Sequence, residues 1–171
     1  MIRIIPVLLL AILLSSCGES EKKYQKKIDH LNAELTDAPL EQQSTLAKKL
    51  LDSYEYYIKT FPESGMNAEY LFRSAELEKG LGNPQASIQD LKSLVTKYPE
   101  SEKAGTSMFL IAFTFHDELG QPDSAQKYFQ QFLKEYPEHE LKDDAEAYMN
   151  ILTFSEEELL EFLKKDNDTI E

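Results

Sequence analysis

Apolar residues recur at spacings of three and four through most of the chain, the period of helices with one buried face. Ile88, Leu91, Leu94 and Val95 form one such stripe, and Ala125, Phe129, Phe132 and Leu133 form the next. The pattern predicts helices over about 20–36, 40–60, 66–81, 85–98, 102–119, 122–136, 141–153 and 156–165. Two short helices in every 38 residues leave no material for a sheet, so the expected fold class is all-α.

The same period is written in the punctuation. Phe61-Pro62-Glu63-Ser64, Tyr98-Pro99-Glu100-Ser101 and Tyr136-Pro137-Glu138-His139 recur 37 and then 38 residues apart, and Leu81-Gly82-Asn83-Pro84 returns as Leu119-Gly120-Gln121-Pro122. Gly82 and Gly120 suit the left-handed backbone that closes a helix, while Pro84 and Pro122 fall where the next helix starts and a missing N–H costs nothing. Pro62, Pro99 and Pro137 stop the second helix of each unit. Two complete helix–turn–helix units run over 66–101 and 104–139, between a degenerate first unit and a closing pair, in a helical domain of residues 24–165. Stacked repeats bury a core only against neighbours, so the ends need caps. Ser155-Glu156-Glu157-Glu158 has the form of a capping box opening a last helix, whose Leu159, Leu160, Phe162 and Leu163 would cover the final repeat. Residues 166–171 carry no stripe and are expected to fray.

These positions resemble the tetratricopeptide repeat. Leu71 and Phe109 take its large apolar place in the first helix, Ala75 and Phe113 its small one, Ser87 and Ala125 the small contact of the second helix, Leu91 and Phe129 the bulky ones, and Pro99 and Pro137 the closing proline. Three departures stand out: a repeat longer than the usual one, Glu78 and His116 where tyrosine is common, and Phe113 where a small residue is preferred, which predicts looser pairing in the second unit. The resemblance implies a short right-handed superhelical solenoid. The longer turn and the Tyr-Pro-Glu-Ser ending are similar to tetratricopeptide lipoproteins of the bacterial envelope, those of outer-membrane protein assembly and of the Tol-Pal system.

The first 16 residues differ from all that follows: Arg3 gives a basic start and Ile4–Leu14 an uncharged apolar run of 11 residues, the form of a secretion signal. That run makes about 16 Å of helix, roughly half of what a hydrocarbon core requires. Leu14-Ser15-Ser16-Cys17 resembles the bacterial lipobox, which implies cleavage before Cys17, acylation of its thiol and a lipidated tether over 17–23. Gly18 stands where aspartate would retain an enteric lipoprotein in the inner membrane, so the resemblance implies the outer membrane, periplasmic side. Glu19 and Glu21 faintly match the acidic tract of surface-exported lipoproteins. Lys22, Lys23, Lys26 and Lys27, offset by Glu19, Glu21 and Asp29, read as solvated. Tyr24, Ile28, Leu31 and Leu35 make a short heptad seam, expected to pack within the chain on residues 40–60 rather than to oligomerise.

Charge narrows the partners. Lys and Arg number 18 against 31 Asp and Glu, a net charge of −13 that repels phosphate backbones and argues against nucleic acid. One cysteine allows no intrachain disulfide and no thiolate metal site. His30, His116 and His139 fall in different repeats with no ligand spacing, Asp143-Asp144 and Glu156-Glu157-Glu158 sit where helix N-termini favour acids, and no serine lies in a nucleophile elbow. Neither enzyme chemistry nor a metal or cofactor is expected. Another echo of the period is Phe72, Leu110 and Tyr148, one place in three successive first helices. In tetratricopeptide arrays that place faces the groove, so the three would form a stripe for an extended peptide or partner helix, with Arg73, Glu76, Thr114 and Asp117 setting specificity; the competing reading is a packing seam between units. The expected function is a non-catalytic protein–protein adaptor anchored through its N-terminal lipid and binding other envelope proteins. The alternative is a ligand- or glycan-binding accessory of an uptake system, which needs a deep aromatic pocket.

Overall fold

The computed structural model describes residues 5–153, with side chains from Ser20 onward. Among them the chain is helical throughout: α1 Ile5–Asp37, α2 Leu40–Thr60, α3 Asn67–Gly80, α4 Pro84–Lys97, α5 Ala104–Asp117, α6 Pro122–Glu135 and α7 Lys142–Thr153. The expected last helix at 156–165 and the tail at 166–171 lie outside the described residues. α1 starts earlier than the expected residue 20, because no proline separates the apolar run from the seam and one glycine, Gly18, does not stop a helix. Among the described residues, no helix is long and apolar enough to cross a membrane. The chain divides into two compact units, residues 1–70 and 71–171, with the division inside α3.

In the first unit α1 and α2 pair through the heptad seam, as its spacing predicts: Ile28 is fully buried, while Tyr24, Leu31 and Leu35 are half-buried. The partner face of α2 supplies Leu50, Tyr54 and Tyr57, with Tyr24 stacked on Tyr56 at 4.8 Å and Tyr54 on Tyr70 at 5.0 Å. Buried tyrosines require partners for their hydroxyls. Tyr54 donates to Asn32 Oδ1 at 3.0 Å and Tyr57 to Glu21 Oε1 at 2.5 Å. Ser64, in the turn after α2, donates to the same Glu21 oxygen at 2.6 Å, and Gln25 donates to the Tyr57 oxygen at 2.7 Å. Through these bonds Glu21 bolts its turn of α1 to α2 and to the turn that follows α2. Two hydroxyl protons converging on one carboxylate hold Glu21 below its ordinary pKa, the Ser64 bond first and the Tyr57 bond second. Burial, and then the bond to Glu21, push the Tyr57 phenol up.

In the second unit α5 packs against both α4 and α6, and its buried residues accordingly spread over more than one face: Ala104, Met108, Ile111 and Ala112 with Phe109 and Thr114. Phe109 meets Phe129 edge-on at 5.5 Å and Phe132 at 5.8 Å, the favoured geometry of aromatic pairs, and Ala125 lets α6 approach. The α5–α6 pairing is the most extensive among the described residues, which corrects the expected loosening at Phe113. That ring sits at the edge of the pair, half-buried between Tyr148 at 5.6 Å and the ammonium of Lys79 at 5.0 Å.

The repeated punctuation becomes repeated geometry. Gly82, at φ 78°, closes α3 in a Schellman arrangement in which Asn83 N–H donates to Glu78 O at 2.9 Å and Gly82 N–H to Lys79 O at 3.0 Å. Gly120, at φ 58°, closes α5, and Pro84 and Pro122 open the helices that follow. The three Pro-Glu turns share a set of bonds. Ser64, Ser101 and His139 each donate their N–H to the carbonyl three residues back, at 3.0, 3.0 and 3.1 Å. Each also accepts, on its side chain, the N–H two residues on: Ser64 Oγ from Met66 at 3.2 Å, Ser101 Oγ from Lys103 at 3.2 Å and His139 Nδ1 from Leu141 at 3.1 Å. His139 therefore replaces serine with the same acceptor role, which leaves its neutral ring protonated on Nε2, facing Thr106 Oγ1 at 3.4 Å. The larger ring fits because Gly105 lies beneath it. A Cβ on Gly105 would stand 2.4 Å from His139 Cδ2.

Candidate functional site

The face formed by α3, α5 and α7, the first helices of the repeats, is where the sequence places its groove. The stripe is not open there. Phe72 is 8 % exposed, and the Lys103 ammonium sits 4.8 Å over its ring. Tyr148 turns inward, stacked flat on Phe129 at 5.2 Å and edge-on to Phe113 at 5.6 Å. The reason is positional: α7 packs on α6, and its largest side chain covers the aromatic face that α6 presents. Leu110 lies half-buried against the same cluster. Phe72 is thus buried and Leu110 and Tyr148 are half-buried, so the three do not form an open apolar stripe.

The polar candidates separate as well. Thr114 is 1 % exposed and donates its hydroxyl to Leu110 O at 2.8 Å, so it satisfies its own helix and reads no ligand. Glu76 and Asp117 are exposed, and Arg73 is half-buried and engaged. Sequence reasoning missed the residues that join α3 to α5 on this face. Lys79 pairs with Glu118 at 3.1 Å while lying over Phe113, and Lys103 caps Phe72. No periodic signal marks them, since a lysine in a polar position of a helix looks solvated until its neighbour is known. What remains is a mixed-charge rim on α3 and α5: exposed Glu76 and Asp117, half-buried Arg73 and Leu110, and the Lys79–Glu118 pair.

The histidines have structural settings. His30 faces Glu34 at 3.3 Å, His116 meets Tyr148 edge-on at 5.6 Å and His139 holds its turn. Among the described residues no group of three histidine, cysteine or acidic side chains is placed to hold a metal ion. An open depression of about 430 Å³ runs along α4, lined by Gln85, Ile88, Gln89, Lys92, Ser93, Thr96 and Lys97. It has no aromatic wall. Cys17 and the capping box at 155–158 fall where no side chain is described.

The tetratricopeptide repeat family model matches residues 69–101 and 106–139, so α3 to α6 form two such repeats. No curated protein matches the chain.

Proposed function

We propose that this chain is a lipid-anchored, non-catalytic adaptor of the bacterial outer membrane, held by Cys17 on the periplasmic side. Its repeat unit binds another envelope protein during assembly of the envelope or of its outer-membrane proteins. The observation that carries this reading is the pair of tetratricopeptide repeats, modules that bind peptides and partner proteins, in a chain whose start has a signal-type apolar run and Leu14-Ser15-Ser16-Cys17. The mixed-charge rim of α3 and α5 supports it, because exposed Glu76 and Asp117, with half-buried Arg73 and Leu110, suit a polar segment with one apolar anchor.

Two measurements test it. Photocrosslinkers at Glu76 and Asp117, used in the protein's own membranes, should capture an envelope-assembly component; capture of uptake components alone would replace the reading with the ligand-accessory one. Cys17→Ala should abolish labelled-palmitate incorporation and leave an unprocessed or soluble chain, and label persisting in that variant would remove the anchor.

A further inference from the structure

The outward side of α1 carries Lys22, Lys23, Lys26 and Lys27 within two turns, all exposed, in a chain whose net charge is −13. From the sequence alone, Glu19, Glu21 and Asp29 offset this cluster. The structure removes Glu21 from the outer face, since its carboxylate accepts from Tyr57 and Ser64 on the side packed against α2. The acids further along α1, Asp29, Glu34 and Asp37, are exposed but come after the lysines, so the outer face changes sign from basic to acidic away from Cys17.

A second feature lies at the same end of the hairpin. Tyr56 is 53 % exposed, an unusual exposure for a large ring, and it stacks on half-buried Tyr24, over which Lys27 sits at 5.0 Å. Of the neighbouring α2 charges, Glu55 is paired with Lys59. Lysines beside exposed tyrosines are the composition of a membrane–water interface, where phosphates meet ammonium groups and amphipathic rings sit at head-group level.

We propose that the lysine face of α1, with the Tyr24–Tyr56 pair, rests on the anionic head groups of the bilayer that holds the lipid anchor. This rests on the reading of Cys17 as the anchor. Because α1 is one continuous helix, Lys22 lies about 7.5 Å along its axis from Cys17 and Lys27 about 15 Å, so the nearer lysines are within one Debye length of the surface and the others within reach of their side chains. The contact orients the first unit on the membrane instead of leaving it on a free leash.

The test uses the lipidated full chain reconstituted in two kinds of vesicle, neutral phosphatidylcholine alone or with about 30 % phosphatidylglycerol, and labelled with a membrane-impermeant amine reagent read by mass spectrometry. Labelling of Lys22, Lys23, Lys26 and Lys27 should fall about fivefold or more in the anionic vesicles and recover at about 0.5 M salt, with Lys48 and Lys97 unchanged. The variant K22E/K23E, altered only at exposed positions, should float with both vesicles and lose most of the difference in labelling of Lys26 and Lys27 between them. Equal labelling of the wild-type cluster in both vesicles, in protein that floats, would overturn the contact and leave the anchor standing. Protein that floats with neither vesicle would overturn the anchor and the contact together.

Discussion

The second helices of the hairpin and of the repeats fill the same places with different chemistry. Counting by the period, Leu50, Ser87 and Ala125 correspond, as do Tyr54, Leu91 and Phe129, and Tyr57, Leu94 and Phe132, and all nine are buried. In α4 and α6 these places are small, then aliphatic or phenyl. In α2 the small place holds leucine and the other two hold tyrosines whose hydroxyls reach Asn32 and Glu21 on α1. At these places the repeats are held by apolar packing, whereas the hairpin is held in part by directed polar bonds that require specific partners. The burial pattern is shared, but the residue types that fill it are not.

The comparison breaks most severely if the aromatic core of the second unit is opened. Phe129→Ala removes a fully buried ring that touches Phe109 and Tyr148, and it should cost about 3 to 5 kcal/mol, measured by denaturant unfolding. Tyr148→Ala should also lose stability, because Tyr148 belongs to the same stack. A Tyr148→Ala variant as stable as wild type would return that residue to the groove. A second test bears on the third Pro-Glu turn. Gly105→Ala should destabilise by about 1 to 3 kcal/mol through overpacking against His139. In a His139→Ser background the same alanine still meets Tyr136 Cδ1 at 3.2 Å, so its cost should shrink by about 1 kcal/mol or more rather than change sign. A smaller cost in that background identifies the imidazole as the main obstacle; equal effects would refute it.

How much of this was legible depends on whether a residue's role was local. Gly82, Gly120 and the prolines act through their own backbone, and the helix ends they predict fall within a few residues of those observed. Ile28, Leu94 and Phe132 were legible because burial on one helix face has a period. The groove stripe was not, since register places Phe72, Leu110 and Tyr148 on equivalent positions without saying what covers each. Phe72 meets Lys103, and Tyr148 meets the rings of α6. Thr114 misled because a threonine looks polar in sequence but in a helix can satisfy itself on the preceding turn. His139 carried a signal that was available: it occupies the place of Ser64 and Ser101, and a substitution there must still offer an acceptor to the amide two residues on.

The hairpin side of the comparison is sharpened by pH. Tyr57→Phe keeps the ring and deletes the hydroxyl, so it should cost about 1 to 2 kcal/mol near neutrality. Glu21 has a lowered folded pKa, so its contribution is present above the ordinary 4.5 and is lost as pH falls through the folded value. Tyr57 has a raised one, so its contribution is present below the ordinary 10.0 and is lost as pH rises beyond it. The gap in melting temperature between wild type and Tyr57→Phe should therefore be flat from about pH 5 to 9 and shrink on both sides. A gap independent of pH would mean that the ring alone matters.

The smallest effect on stability should accompany the largest effect on binding. Glu76 and Asp117 are exposed and lie outside the buried core, so Glu76→Lys and Asp117→Lys should each change stability by less than about 0.5 kcal/mol. If the α3–α5 rim meets a partner, reversing two of its charges juxtaposes like signs across the interface and should slow association and remove the partner from crosslinked complexes. Leu110→Ala lies between the extremes, since a half-buried side chain serves both the cluster and the surface, and it should lose some stability and some binding together. The informative quantity is the ratio of the two effects at each position. A charge-reversed rim with unchanged melting and undiminished partner recovery would move the binding face off the first helices altogether, and would leave their buried aromatic seam as a device for stacking repeats only.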